Sequence, residues 1–355
     1  MRKMSFNYSG INAKVKAMTG ELLTERDYQV LAAMKSVEAV VEKLSEHKKY
    51  ADCLSSLDSV HMHRSFIEQR LVLSLSRDYF KIYSFISDFG LRRFLDSYFM
   101  QNRIMILKVL LGVVYDDRGA EYSASELNVL FGEKHGDVVQ RLLSSKTVSE
   151  FVDNLKNTEF YSVLSRVSNE APSLFRLEME LDLYYYMNLR ESSGKQNLNK
   201  KNLRLLKNII GTEIDLTNIV WAYRLKTFYN IIGTEIYSYL IPYSYRLRKQ
   251  KLMSIAETKS SEELINEIES TPYGRAFAGC HNLEEVRLRE TLRVMKFSSR
   301  RFPGSVVPTL AYLFSKQLEI NNIISLLEGI RYRRTPEEIM KKLIIGSRKE
   351  VRPVG

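Results

Sequence analysis

The sequence predicts an all-α protein built from three related helical-bundle modules about a pseudo-threefold axis. Three observations lead there. First, Asn102, Asn218 and Asn322 each open an apolar segment, at spacings of 116 and 104 residues in a chain of 355. Second, a hydroxyl residue followed by an apolar stripe precedes each of them. Ser36 with Val37, Val40, Val41 and Leu44 is echoed by Thr147 with Val148, Phe151, Val152 and Leu155, a shift of 111. It returns as Ser260 with Leu264, Ile265 and Ile268, a further 113 residues on. Third, nearly every periodic segment has the helical period and strand signals are scarce. The expected modules are 1–118, 119–235 and 236–355.

Taken in chain order, Ser36 marks the first upstream helix, although Ala39 removes the acid that a capping box requires. Gly112 to Ser125, with Asp116-Asp117-Arg118-Gly119, reads as the first break. Thr147-x-x-Glu150 and Ser260-x-x-Glu263 have capping-box form and open the second and third upstream helices. Glu191 to Asn202, with Ser192-Ser193-Gly194-Lys195-Gln196-Asn197, reads as a mobile loop. From Asp215 to Phe228, Leu216, Ile219, Val220 and Tyr223 form one helical stripe. Trp221, Leu225 and Phe228 form a second, with Asn218 one turn earlier. Two stripes predict a helix buried around most of its circumference, with Asp215 as its N-cap. Ser298 to Pro308 reads as the last long break. Thr335-Pro336-Glu337-Glu338 then starts a short helix, expected to run to about Ile345 and stop at Gly346.

A module of about 110 residues is too long for the common helical solenoids, whose units are roughly 33 to 47 residues. Three small bundles fit better than a solenoid. The composition, 45% hydrophobic and 27% charged with seven prolines, is that of a folded helical chain. A formal charge of +11 favours anionic partners. The basic residues are diffuse, and the densest group (Arg331, Arg333, Arg334, Lys341, Lys342, Arg348, Lys349, Arg352) reads as a solvated helical face. Cys53 and Cys280 have neither disulfide nor zinc spacing, which fits a reducing compartment. Met1 to Ser9 lacks an apolar h-region, so no signal peptide is expected. The most apolar stretch, Ile104 to Val114, is interrupted by Lys108 and is short of the roughly 20 residues a span needs. No spanning helix is expected.

Chemistry is sparse. His61 and His63 are the closest histidines, but at i and i+2 on a helix they diverge and cannot share a metal. Asp116-Asp117 has no second acidic cluster and reads as a turn. Gly194-Lys195 lacks the rest of a phosphate-binding loop, and no G-x-S-x-G or G-x-G-x-x-G occurs. No catalytic, cofactor-binding or metal site is expected. The repeated asparagine is expected to be buried and to bond the backbone of a neighbouring helix, fixing packing rather than chemistry. Three residues before it stand Phe99, Asp215 and Glu319; six residues after it stand Lys108, Arg224 and Glu328. The charges diverge, so a fixed charge pair repeated in all three copies is not expected.

Ile210 to Asn218 (Ile-Gly-Thr-Glu-Ile-Asp-Leu-Thr-Asn) with Arg224-Leu225-Lys226 resembles the C subunit of archaeal and bacterial A/V-type rotary ATPases, the family of the V-ATPase d subunit (AC39). Lys14-Val15-Lys16-Ala17-Met18, Leu22-Leu23, Leu240-Ile241-Pro242 and Lys316 to Ile323 fit the same family, so the likeness runs nearly end to end. The family usually has arginines where this chain has Lys14 and Lys16, and the first repeat lacks the acid at Phe99. The resemblance implies a funnel-shaped, non-catalytic subunit on the cytoplasmic face of the membrane. It implies a socket between the proteolipid rotor ring (c/K subunits) and central-stalk subunits D and F, with the stator membrane subunit (a/I) as a further partner. The coupled ion would be H⁺ or Na⁺. The alternative is a basic helical-repeat protein that binds nucleic acid or serves as a scaffold. Tyr184-Tyr185-Tyr186 would fan around a helix, however, and not form a stacking platform.

Overall fold

The computed structural model describes residues 8–55, 64–116, 124–128, 131, 137–168, 173–195, 199–231, 233–280 and 282–345. Among them every regular element is an α-helix, and the protein is all-α. Helix α1 (Ser9–Gly20) comes first. Three successive sets then follow one plan: three short helices, two long ones and a short one. The first set is α2 (Glu25–Ala32), α3 (Val37–Ser45), α4 (Ala51–Leu54), α5 (Arg64–Tyr83), α6 (Phe89–Tyr115) and α7 (Ala124–Leu127). The second is α8 (Val138–Leu143), α9 (Val148–Asp153), α10 (Tyr161–Ser168), α11 (Leu174–Lys195), α12 (Lys200–Tyr229) and α13 (Thr234–Tyr239). The third is α14 (Lys249–Glu257), α15 (Ser261–Glu269), α16 (Gly274–Phe277), α17 (Leu283–Arg301), α18 (Val307–Arg331) and α19 (Pro336–Lys342).

Local chemistry explains these boundaries. Ser36, Thr147 and Ser260 are the N-caps of α3, α9 and α15, each accepting from the backbone N–H three residues on. The acids of the two expected boxes reach one residue further back, Glu150 to the N–H of Lys146 at 2.9 Å and Glu263 to that of Lys259 at 2.7 Å. They satisfy a loop donor instead of closing the box. Complete boxes occur at Thr335–Glu338, where Pro336 takes the first helical position, and at Thr24–Asp27. Asp88 caps α6, whose Leu91, Phe94, Leu95 and Tyr98 form a buried stripe at helical spacing. Asn199 caps α12, and Asn230 ends it in the left-handed region at φ 53°.

Several expectations are corrected. The segment from Glu191 is not a loop: α11 continues to Lys195, because the Ser192 and Ser193 hydroxyls donate to the Leu189 and Arg190 carbonyls within the helix. Gly112 likewise lies inside α6. Helix α19 ends at Lys342, three residues short of Ile345. Asp215 lies in the middle of α12 and caps nothing there. Phe228 is 67% exposed, so the second stripe is not buried along its whole length. His61, His63, Asp117 to Gly119, Gln196, Asn197, Gly346, Arg348, Lys349 and Arg352 lie outside the described residues.

Contacts divide the chain into two compact units. Among the described residues, one comprises 8–12, 186–311 and 344–345. In it α12 packs on α14, α15 and α17, and α13 packs on α14. Ile214, Ile219, Ile255, Leu264 and Met295 are among its fully buried residues. The buried Asn202 carboxamide joins its chain segments, donating to the Tyr8 hydroxyl at 2.8 Å and accepting from the N–H of Val306 at 3.2 Å. The other unit comprises Ala13–Tyr185 and Tyr312–Leu343. There α6 packs on α5, α8 and α9, α7 packs on α8, and α19 packs on α2. Phe94, Leu107, Phe160, Leu177 and Leu326 lie in its core. Among the described residues one helix, α6, is long and apolar enough to cross a membrane, and 56% of that apolar window is buried inside the protein. Its stacking of Phe99 on Tyr79 (centroids 3.9 Å apart) is that of a core helix.

The glycine of the Ile210-Gly211-Thr212 segment has a packing reason. A Cβ there would sit 2.6 Å from both Cβ and Cγ of Tyr245, the root of that side chain rather than its flexible end. Gly211→Ala is therefore expected to destabilise by about 1–3 kcal/mol. Gly112, with open space around it, should gain up to about 1 kcal/mol on the same change. Chemical denaturation of the two variants checks both signs.

Candidate functional site

Asn102, Asn218 and Asn322 all lie well inside a long helix, α6, α12 and α18 respectively, and all are buried. Their partners differ. Asn218, fully buried, accepts from the N–H of Ile241 at 2.8 Å and donates to the carbonyls of Ile241 at 3.1 Å and Tyr243 at 3.4 Å. It holds the Leu240-Ile241-Pro242 segment against α12 through backbone bonds. Asn102 donates within its own helix to the Phe99 carbonyl at 3.4 Å, and Asn322 donates to the Tyr28 hydroxyl at 3.4 Å. Asn218 thus bonds the backbone of a neighbouring segment, one that lies between α13 and α14 and not in a helix.

The position three residues earlier carries more. The Asp215 carboxylate, fully buried, accepts from the N–H groups of Tyr245, Arg246 and Leu247 at 2.7–2.9 Å and from the Tyr273 hydroxyl at 2.8 Å. It satisfies the backbone of a turn that enters α14, a role close to capping but exercised across space. Burial raises its pKa, and these four bonds oppose that. Glu319 repeats the arrangement on α18, accepting from the N–H of Leu23 at 2.5 Å and from the Tyr50 hydroxyl at 2.6 Å. Lys316, with no exposed surface, donates to both Tyr50 at 2.7 Å and Glu319 at 3.0 Å, and its ammonium lies 3.9 Å from the Tyr50 ring centroid. Burial, then the Glu319 charge, keeps the Tyr50 phenol protonated, with its pKa well above the ordinary 10.0.

Tyr50 and Tyr273 stand fourteen and thirteen residues past the caps Ser36 and Ser260. The matching residue after Thr147 is Phe160, and the residue three before Asn102 is Phe99. Acid and hydroxyl are therefore lost together. In their place Arg103 of α6 stacks over Phe160 at 5.9 Å and bonds Glu159 at 2.9 Å. This recurring tyrosine was the signal that sequence reading missed.

The position six residues after the asparagine is ion-paired in the first and third copies. Lys108 meets Asp182 of α11 at 2.6 Å, and Glu328 meets Arg64 of α5 at 2.6 Å, with the signs exchanged. Arg224 is exposed on α12. Burial would raise the Glu284 carboxyl of α17, but Arg287 first and then Arg224 hold it below its ordinary range. The charges diverge in sign, yet opposite partners accompany each change. Sequence reading saw only the divergence because the partners sit on a different helix. Among the described residues no group of three or more His, Cys, Asp or Glu could hold a metal. Tyr185 and Tyr186 are buried, so the Tyr184–Tyr186 run offers no stacking platform.

The ATP synthase (C/AC39) subunit family model matches residues 11–342. This chain belongs to that family. It is similar to the C subunit of the A-type ATP synthase of Methanosarcina mazei, 27% identical across 97% of this chain and 94% of that one. The protein of the same name from Methanosphaera stadtmanae is 28% identical across 96% of this chain and 88% of its own length. That from Halobacterium salinarum is 24% identical across 96% and 98%. Two of the segments that carry the C/AC39 resemblance serve internal packing, through Gly211, Asp215 and Asn218 on α12 and Lys316, Glu319 and Asn322 on α18.

One buried acid of this C/AC39 chain lies outside that pattern. Glu213 of α12 is 2% exposed, and its Oε2 has no hydrogen-bond partner. Burial pushes its pKa up to about 7 from the ordinary 4.5, with the Arg287 charge opposing. A raised carboxyl pKa means that the native state holds its proton where the unfolded chain has lost it. Its contribution to stability is full below about 4.5 and declines as pH rises to about 7. Glu213→Gln should flatten this decline and leave the variant more stable above pH 7, by roughly 1–3 kcal/mol. Urea unfolding from pH 4.5 to 8 measures it. Asn218→Leu, which strands the N–H of Ile241, should cost about 2–4 kcal/mol without any local chemistry to lose; thermal unfolding reads that effect.

Proposed function

We propose that this chain is a non-catalytic central-rotor subunit of a rotary ATPase, serving as the socket that couples the central stalk to the membrane proteolipid ring. The observation that carries the reading is membership of the ATP synthase (C/AC39) subunit family over residues 11–342. In this reading the ring (c/K subunits) lies on one side and stalk subunits D and F on the other. The stator membrane subunit (a/I) passes nearby, and the protein sits at the cytoplasmic face without crossing the membrane. ATP-linked movement of H⁺ or Na⁺ belongs to the assembly, the ion being chosen in the ring.

A coupling element must transmit torque without yielding, and the buried polar clasps on α12 and α18 suit that demand. Each holds a turn to a long helix with several charge-assisted bonds, stronger than neutral ones. We further propose that the sequence divisions 1–118, 119–235 and 236–355 are three modules about a pseudo-threefold axis in a funnel. The threefold plan of helices supports this. So does the offset of packing: α13 lies on α14 and α7 on α8, and α19 lies on α2 at the start of the chain.

The test is reconstitution. The purified chain should capture both a detergent-solubilised proteolipid ring and a D–F stalk complex, and an assembly lacking it should hydrolyse ATP without moving ions. Failure to bind either partner would sink the proposal.

A further inference from the structure

We propose that the turn joining α5 to α6 is a lipid-contact tip, which seats its phenylalanines at the headgroup boundary of an anionic membrane surface. Phe80, Phe85 and Phe89 fall within ten residues of sequence and are 43%, 54% and 71% exposed. Burial elsewhere in this region is efficient: Ile82, Ile86 and Leu91, interspersed with them, are at most 1% exposed. Phe80 keeps edge contacts with the buried Tyr79 and Phe99 rings, whereas Phe85 and Phe89 leave more than half of their surface outside the core. Phe85 and Phe89 each have a cation beside the ring. The Lys14 ammonium of α1 lies 5.9 Å from the Phe85 ring centroid, and the Arg93 guanidinium 5.7 Å from that of Phe89. Lys81 and Arg93 are exposed. Arg92 braces the turn by donating to the Ile86 carbonyl at 2.5 Å and stacking over Tyr83 at 5.1 Å.

The nearby acids are already engaged. Asp88 accepts from the N–H of Leu91 as the cap of α6, and Asp96 accepts from the hydroxyls of Tyr79 and Tyr83. Exposed aromatic rings with cations beside them, at the turn between two long helices, match an interfacial anchor: apolar groups enter the acyl boundary while Lys and Arg meet phosphates. The charge selects an anionic surface. A turn presenting rings outward also needs no groove in its partner, which a fluid bilayer edge provides without a shaped pocket. The inference rests on these residues and stands independently of the rotor reading.

The experiment is co-sedimentation of the full chain with vesicles of phosphatidylcholine alone or mixed with phosphatidylglycerol. Binding is expected only to the mixed vesicles, falling with added salt. Phe85→Ser/Phe89→Ser should weaken it roughly tenfold or more, and Arg93→Gln by several-fold. Thermal unfolding of each variant, expected to match the parent because the side chains are exposed, keeps folding out of the comparison. No vesicle binding, equal binding to both compositions, or binding unchanged in the double phenylalanine variant would overturn the proposal. An acidic protein face would then be the better occupant.

Discussion

A turn that runs against the middle of a long helix has backbone N–H groups with no ladder to receive them, and burying them unsatisfied costs more than most side-chain contacts return. The fold answers this constraint with carboxylates placed mid-helix. Asp215 takes three such N–H groups and a phenol; Glu319 takes one N–H and a phenol, and adds the ammonium of Lys316. Each carboxylate is itself buried, so it depends on its donors as much as they depend on it. Remove either side and a charge or a row of amides is left without partners, at a cost of about 3–5 kcal/mol for a buried ion pair broken on one side. The short helices α2, α14 and α16 each begin within three residues of a backbone or phenol group bound by a clasp. The clasps locate the turns that position them.

That dependence also explains how the three sets differ. Opposite charges that meet between two long helices can exchange sign and still attract. Glu328 and Arg64 hold the place that Lys108 and Asp182 hold elsewhere, with the charges exchanged. Phe99 and Phe160 replace acid and phenol together, and Arg103 fills the gap by stacking on Phe160 and bonding Glu159. The repeated scaffold is thus kept by compensation within pairs.

Much of this was legible in the sequence, and the failures have physical causes. The caps Ser36, Thr147, Ser260 and Thr335 were readable because capping is local chemistry among residues three apart. The burial of Asn218 followed from its alignment with Leu225 on a helical stripe. Asp215 was misread because an acid ahead of an apolar run looks the same whether it opens a helix or sits within one; only the partners at Tyr245 to Leu247 and Tyr273 decide. Ser192, Ser193 and Gly194 read as a loop because serines compete with the backbone for hydrogen bonds, yet both hydroxyls bond back along α11. The pairing of Tyr50 with Glu319 spans most of the chain and leaves no periodic trace. Only the thirteen- or fourteen-residue offset from each cap pointed to it.

The central claim is that a buried acid and a tyrosine act as one clasp between a long helix and a capped turn. A double-mutant cycle with Asp215→Asn, Tyr273→Phe and the double variant, followed by urea unfolding, isolates that pair. The account predicts a coupling energy of about 1–3 kcal/mol between the two sites. Additive effects, with coupling below about 0.5 kcal/mol, would contradict it.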